Sequence, residues 1–338
     1  MVPQHIDYHS DPDEGDLWFL PGPIDDGPPA KPPRETDEHA ILDDWRRAEA
    51  GQAARLAHVA MRLGALDERL RRGPAGWRHR LALIEAADLS WFSGARIAPD
   101  RLALWLALRL AGVQGDAAAL ARAGWAVRRL SGGPGPLADL AAFLDRRDPE
   151  NPHDETEPLA YRAGGWTGVM ERAGALHPIS RACMGYHLWP LAGLGARGVE
   201  AAVTAARIAA GAGRGAGFAP LAMGGGAAGK LRAIGPPGER LAGFLAAMEA
   251  AILSATRQLD DIEAWSTRAE AAMAPLSGRT PPALRAALAA WPLLSAPMAE
   301  ALTGASRAAV QRNLAWMQAR GLIREVTGQG RFRLWCVT

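Results

Sequence analysis

Apolar residues recur at helical spacing along most of the chain. One long helix is predicted over about residues 36–72, and its buried stripe would consist of Trp45, Leu56, Val59, Leu63, Leu66 and Leu70. Further helices are predicted over about 77–92, 99–111, 116–130 and 136–147, within 161–210, and over 239–273. Strand patterns begin only near residue 322. The sequence therefore predicts a mostly α-helical protein with a helical body over residues 41–275.

The last sixty residues follow a different plan. Three helices are predicted over residues 281–291, 296–303 and 307–320. Ser295 and Ser306 are suited to cap the second and third of them. Two alternating runs, 322–327 and 331–337, would then pair through a hairpin at residues 328–330. Three helices followed by a small β-hairpin predict a winged helix-turn-helix domain over residues 279–338.

The third of these helices has two distinct faces. Val310, Leu314 and Met317 fall at i, i+4 and i+7 and should face the core. Alanines and long polar side chains occupy the opposite face, a combination that lets a helix approach the DNA major groove and reach base edges. The predicted DNA-binding residues are Ser306, Arg307, Gln311, Arg312, Gln329, Arg331 and Arg333. A winged helix that contacts only protein is the alternative.

The distribution of charge supports the DNA hypothesis more than the total does. The chain has a net charge of +2, whereas residues 279–338 contain eight Arg and two Glu. Arginine is abundant throughout, so arginine content alone does not indicate nucleic acid. Residues 1–40 contain ten acidic and two basic side chains and many prolines. This composition predicts a disordered acidic tail.

Residues 239–273 carry apolar side chains at alternating spacings of four and three. The stripe consists of Leu241, Leu245, Met248, Ile252, Ala255, Leu259 and Ile262. Such a heptad pattern is typical of a seam between two helices, which predicts a homodimer through residues 239–273. The same stripe is equally suited to the centre of its own helical body, and the pattern alone leaves both interpretations open.

Composition also limits where the protein works. No run approaches 18 apolar residues without a charge or a helix breaker, and no basic-then-apolar leader opens the chain. The two cysteines, Cys183 and Cys336, are few for a disulfide-stabilised protein of this length. We therefore expect a reduced, cytoplasmic protein without a membrane span.

Two patterns suggest other chemistry and are incomplete. Residues 224–231 (GGGAAGKL) have the glycine and lysine spacing of a P-loop, but Leu231 stands where a hydroxyl must bind magnesium. Cys183 and His187 lie four residues apart, but no second cluster completes a zinc site. We therefore expect no catalytic residues, no metal and no cofactor.

The runs 306–314 (SRAAVQRNL), 321–325 (GLIRE) and 327–335 (TGQGRFRLW) resemble the winged helix that closes many bacterial Fic proteins. The whole chain is similar to a family of rhizobia and related bacteria, in which a helical domain of unknown function precedes a helix-turn-helix DNA-binding domain. This resemblance implies a transcriptional regulator with a degenerate Fic-like body.

Fic enzymes follow a His-Pro-Phe motif with an acid, an asparagine and an arginine. Residues 177–185 (HPISRACMG) keep only the histidine and proline. The runner-up interpretations are a degenerate Fic-type nucleotidyltransferase that uses His177 and a non-enzymatic protein-interaction module.

Overall fold

The computed structural model describes residues 35–108, 117–146, 157–328 and 333–338. Its described part contains thirteen α-helices and one small antiparallel sheet. The helices are α1 (Glu35–Gly51), α2 (Ala53–Arg72), α3 (Gly76–Phe92), α4 (Pro99–Leu108), α5 (Ala117–Ser131), α6 (Leu140–Leu144), α7 (Leu159–Arg172), α8 (Pro178–Leu188), α9 (Val199–Ala209), α10 (Pro237–Met273), α11 (Thr280–Ala290), α12 (Ala296–Thr303) and α13 (Arg307–Ala319). The strands are β1 (Leu294–Ser295), β2 (Ile323–Glu325) and β3 (Leu334–Val337). The predicted mostly α-helical fold is confirmed.

The helix predicted over residues 36–72 is in fact two helices. The chain leaves helical geometry at Gln52, with φ −111° and ψ 13°, directly after Gly51. Glycine is a poor helix former, which explains a break at this point. The predicted stripe is nevertheless buried in full, from Trp45 in α1 to Leu70 in α2.

The C-terminal boundary of the predicted disordered tail, residues 1–40, is placed too late. Helix α1 begins at Glu35, so residues 35–40 are helical. Residues 1–34 lie outside the described part of the chain.

Helix α10 is the central element of the body, which we define as α1 to α10. It packs against α1, α2, α3 and α8 and, further along, against α11. All seven residues of its heptad stripe are buried within the same chain. The apolar side chains of the predicted dimer seam are therefore covered by the body itself, and the homodimer through residues 239–273 stays a prediction that these contacts do not support. Of the described helices, none has the length and apolarity needed to cross a bilayer.

The glycine-rich segment after α9 is held by buried carboxylates instead of by regular secondary structure. Asp67 of α2 is 1% exposed and accepts hydrogen bonds from the backbone N–H groups of Arg214 (2.6 Å) and Ala216 (2.9 Å). A Cβ at Gly213 would lie 2.5 Å from the Asp67 Oδ1, so this approach requires glycine.

Two carboxylates of α3 hold the next part of the segment. Glu85 is fully buried, and its Oε1 accepts from the N–H groups of Leu221 (2.8 Å) and Ala222 (3.0 Å). The Asp88 Oδ2 accepts from the Gly224 N–H at 2.8 Å. Desolvation raises the pKa of Glu85 to about 7, although these amide donors oppose the shift.

Residues from α11 to β3 form the winged unit. Ser295 caps α12, since its side chain accepts from the Met298 N–H, and Gly304 ends α12 with a φ of 65°. The sheet has the order β1-β3-β2, so β3 lies between the two other strands. Leu294 pairs with Trp335, and Ile323 pairs with Val337. The plan is that of a winged helix, with β1 as a strand that the sequence pattern did not indicate.

Buried polar contacts join the winged unit to the body. The Trp77 indole N–H donates to the Ala289 carbonyl at 3.2 Å, and the Trp265 indole N–H donates to the Leu322 carbonyl at 2.7 Å. A Cβ at Gly76 would lie 2.4 Å from the carbonyl oxygen of Ala290, so the backbones of α3 and α11 are in close approach. The winged unit is therefore fixed to α3 and α10.

Candidate nucleic-acid interface

Helix α13 presents one face to the core and the other to solvent. Its N-terminus is capped by Ser306, whose Oγ accepts from the Ala309 N–H at 3.4 Å. Val310, Leu314 and Met317 are at most 1% exposed, so the core face predicted from their spacing is confirmed.

The opposite face of α13 is open. Its exposed residues are Ala308, Gln311, Arg312, Ala315 and Ala319. The three alanines keep the centre of this face low, whereas Gln311 and Arg312 extend from it. A face of this shape permits close approach to a flat or grooved partner and supplies long hydrogen-bond donors. We call these five residues the recognition face.

The two arginines in the first half of α13 differ in the partners of their guanidinium groups. The Arg307 Nε donates to Glu300 Oε1 of α12 at 3.0 Å. Within the described part of the chain, the exposed Arg312 takes part in no hydrogen bond or ion pair. Arg307 therefore shares its charge with Glu300, whereas Arg312 extends from the exposed side of the helix.

The side of the recognition face that is nearest to the sheet is a groove. It is lined by Gln311, Ala315, Gln318, Ala319, Arg333 and Trp335. The Trp335 indole N–H donates to Gln318 Oε1 at 3.2 Å, which joins β3 to α13. Arg333 lies with its guanidinium carbon 5.2 Å from the centre of the Trp335 ring. Gln318 and Trp335 were not predicted, because their proximity depends on the position of β3 against α13.

Glu325 orders the start of the hairpin that carries the wing. Its Oε1 accepts from the N–H groups of Thr327 and Gly328, both at 3.0 Å, and from the Thr327 hydroxyl. The Thr327 hydroxyl, followed by the amide donors and the nearby Arg333, lowers the pKa of Glu325. Arg333 lies 3.7 Å from Glu325 Oε2. The predicted site residues Gln329 and Arg331 lie outside the described part of the chain.

A stacked pair borders the far side of the recognition face. The Arg320 guanidinium lies 3.7 Å from the centre of the Trp316 ring, which is half-buried against the core. An aromatic face stabilises a cation at this distance. The stack adds an exposed positive charge at the end of α13.

The P-loop-like segment has a structural role. The Gly224 N–H at its start donates to Asp88, and Glu85 holds the backbone of Leu221 and Ala222 just before it, so both carboxylates fix the entry to the segment. Residues 228–232 form a short 3₁₀ helix. The arrangement lacks the strand, loop and helix that hold a nucleotide in a P-loop.

The histidine and cysteine candidates are also structural. His177 caps α8, because its Nδ1 accepts from the Ile179 N–H at 3.2 Å. Cys183 is fully buried, and burial raises the pKa of its thiol. The Arg197 Nη1 lies 2.8 Å from the Nδ1 of His187, whose pKa burial and neighbouring arginines lower to about 3. The described residues contain no group of three or more side chains that could hold a metal ion.

A scan against protein-family models gave no match, and a search of curated proteins gave none either.

Proposed function

We propose that this protein binds double-stranded DNA through the winged unit and acts as a transcriptional regulator in the cytoplasm. One observation carries the proposal: α13 exposes an alanine-rich face that carries the exposed Arg312, while its other face is buried. The resemblance to a family with a helical body and a helix-turn-helix domain is consistent with this proposal and stays a prediction.

The shape of the recognition face fits a major groove. An α-helix enters that groove along its length, and small side chains keep the approach close. Arg312 and Gln311 extend from the face and would reach base edges. Arginine forms paired hydrogen bonds with guanine, and glutamine forms them with adenine.

The elements around α13 suit contacts with the DNA backbone. Phosphates bind readily at a helix N-terminus, where Ser306 and the first N–H groups of α13 lie. Arg333 on the wing strand and Arg320 beside Trp316 place positive charge on the two sides of the recognition face. These side chains would fix the position of the protein on DNA, whereas Arg312 would contribute sequence preference.

The first experiment is a titration of the full chain with duplex DNA of mixed sequence at several salt concentrations. Phosphate neutralisation predicts that log K falls linearly with log salt, with a slope of about 0.9 per phosphate contact. The full chain is needed, because the winged unit makes buried contacts with α3 and α10.

A matched variant separates the recognition face from nonspecific charge. Arg122 is exposed on α5 of the body, so Arg122→Ala removes one surface charge far along the chain from α13. We expect Arg122→Ala to bind DNA like the parent. Duplex binding that is absent at low salt would contradict the proposal and favour a winged unit that contacts protein.

A further inference from the structure

Three arginines lie on the part of the body where α3, α5 and α9 pack against one another. They are Arg78 near the start of α3, Arg129 near the end of α5 and Arg207 near the end of α9. All three are half-buried. None belongs to the winged unit, so this arginine cluster is separate from the recognition face.

Two of the guanidinium groups lie against the same point. A Cβ at Gly217 would stand 3.3 Å from Arg207 Nη1 and 3.7 Å from Arg78 Nη1. Gly217 has a φ of 69°, a conformation that disfavours any side chain, so both nitrogens lie close to the backbone at this point. The loop at Gly132 also borders it, since a Cβ there would lie 3.2 Å from Arg78 Nη2.

The partners of the cluster are backbone carbonyls and, for Arg129, the Phe143 ring at 5.2 Å; within the described part of the chain no carboxylate pairs with it. The Arg78 Nη1 donates to the Ala216 carbonyl at 2.7 Å. Arg207 donates to the carbonyls of Gly217 (2.6 Å) and Gly133 (2.7 Å).

Arg129 donates to the Ala142 carbonyl at 3.0 Å. The Nε atoms of Arg129 and Arg207 are buried without a hydrogen-bond partner. Burial and the charges of Arg78 and Arg129 lower the pKa of Arg207, as expected for like charges in close proximity.

Arginines also accumulate at helix C-termini because of the helix dipole, and α5 and α9 both end here. The helix dipole accounts for the position of Arg129 at the end of α5 and of Arg207 at the end of α9, each taken alone. It does not explain Arg78, which lies in the first turn of α3, where a positive charge is unfavourable. Asp67 holds the Ala216 N–H, on the residue whose carbonyl accepts from Arg78, but this carboxylate is buried and already accepts two amide N–H groups.

We infer that Arg78, Arg129 and Arg207 form a binding site for a small soluble anion that carries a phosphate or diphosphate group. A guanidinium presents several donors in a planar fork, which matches the several acceptor oxygens of a phosphate. Three such groups balance a ligand with two or more negative charges.

Calorimetry with inorganic phosphate and inorganic pyrophosphate tests the inference on the full chain. We expect saturable binding of pyrophosphate to the parent, and an affinity loss of about tenfold or more in both Arg78→Gln and Arg129→Gln. Arg207 is left unchanged in these variants, because it holds the backbone of two loops and its replacement would disturb the fold. Arg122→Gln on α5 is the matched control, and Arg312→Gln reports binding at the recognition face; both should bind pyrophosphate like the parent.

Thermal melting with and without pyrophosphate gives a second readout, since a ligand of the folded state raises the melting temperature. That rise should be smaller in Arg78→Gln and Arg129→Gln than in the parent. No binding to the folded parent at millimolar pyrophosphate overturns the inference. Binding that both cluster variants keep and Arg312→Gln loses also overturns it, because the anion would then lie at the recognition face. If the cluster variants lose duplex DNA binding and keep pyrophosphate binding, the cluster contacts nucleic acid and the inference is wrong.

Discussion

The Arg80 guanidinium donates to the carbonyl oxygen of Trp291 at 2.6 Å. Arg80 belongs to α3, and Trp291 is the residue that follows α11, so one buried side chain of the body caps the first helix of the winged unit. The same Nη2 lies 3.0 Å from the Leu288 carbonyl. Burial lowers the pKa of Arg80 to about 10 but leaves it charged at neutral pH.

Replacement of Arg80 should loosen the winged unit. Arg80→Met keeps the apolar stem and leaves the carbonyls of Leu288 and Trp291 without their donor. We expect a loss of about 1–3 kcal/mol in the free energy of unfolding, measured by urea titration. Arg72→Met is the control, since Arg72 makes only an exposed pair with Glu68 and should contribute less than about 1 kcal/mol. Equal effects of the two variants would show that the Arg80 contact contributes little.

The two arginines of α13 should differ in their effect on DNA binding. Arg312→Ala removes an exposed guanidinium of the recognition face, and loss of a base contact would weaken binding by about 1–3 kcal/mol. Arg307→Ala should weaken binding less, because Arg307 already pairs with Glu300. Fluorescence anisotropy with labelled duplex DNA measures both. Parent-like binding by Arg312→Ala, with the fold intact, would remove it from the interface.

Leu314 should stabilise the winged unit through its burial. It is 1% exposed, and Leu314→Ala should lower the free energy of unfolding by about 2–5 kcal/mol through lost contacts and a cavity. Denaturant titration followed by circular dichroism measures the change. The control is Ala315→Ser at the next position, where the side chain is exposed. It should change the free energy of unfolding by only a few tenths of a kcal/mol. A Leu314→Ala variant as stable as the parent would contradict the assigned core face.

Glu85 should make stability depend on pH. Its pKa is about 7 in the folded protein against 4.5 for the ordinary carboxyl. The folded state therefore binds this proton more tightly, so the contribution of Glu85 to stability is complete below pH 4.5 and is lost as the pH rises through 7. The difference corresponds to about 3 kcal/mol.

The measurement compares parent and Glu85→Gln by denaturant titration between pH 5 and pH 8. The amide oxygen of glutamine still accepts from the Leu221 and Ala222 N–H groups, so the variant should fold and lose the dependence on pH that Glu85 causes. Histidines with lowered pKa values, such as His187, act in the opposite direction, but they cancel between the two proteins. Identical slopes for the two proteins would disprove ionisation of Glu85 in this range.

The spacing of apolar residues and the capping residues predicted the helices of the winged unit well, because both signals are local in sequence. Val310, Leu314 and Met317 repeat at helical spacing, and Ser306 and Gly304 sit where a helix begins or ends. Strand β1 was missed, since two residues have no period and pair with β3 some forty positions away. The stripe of α10 was visible, but its pattern did not say whether a second copy or the body covers it.

The candidate interface was predicted only in part for the same reason. The spacing along α13 placed Arg312 on the open face, whereas the bond between Arg307 and Glu300 and the groove formed with Trp335 depend on tertiary packing. The arginine cluster on the body has no sequence signature at all, since its members come from three helices that are distant along the chain.

The contact between Trp265 and Leu322 can form only late in the synthesis of the chain. The Trp265 indole is 2% exposed, and its N–H finds an acceptor in a residue that leaves the ribosome 57 positions later. Before Leu322 docks, the Trp265 N–H lacks its acceptor in the protein and must donate to water. A nascent chain that ends before the winged unit would therefore expose the apolar Trp265 side of α10 to chaperones. That surface would become inaccessible to them once the last sixty residues have docked.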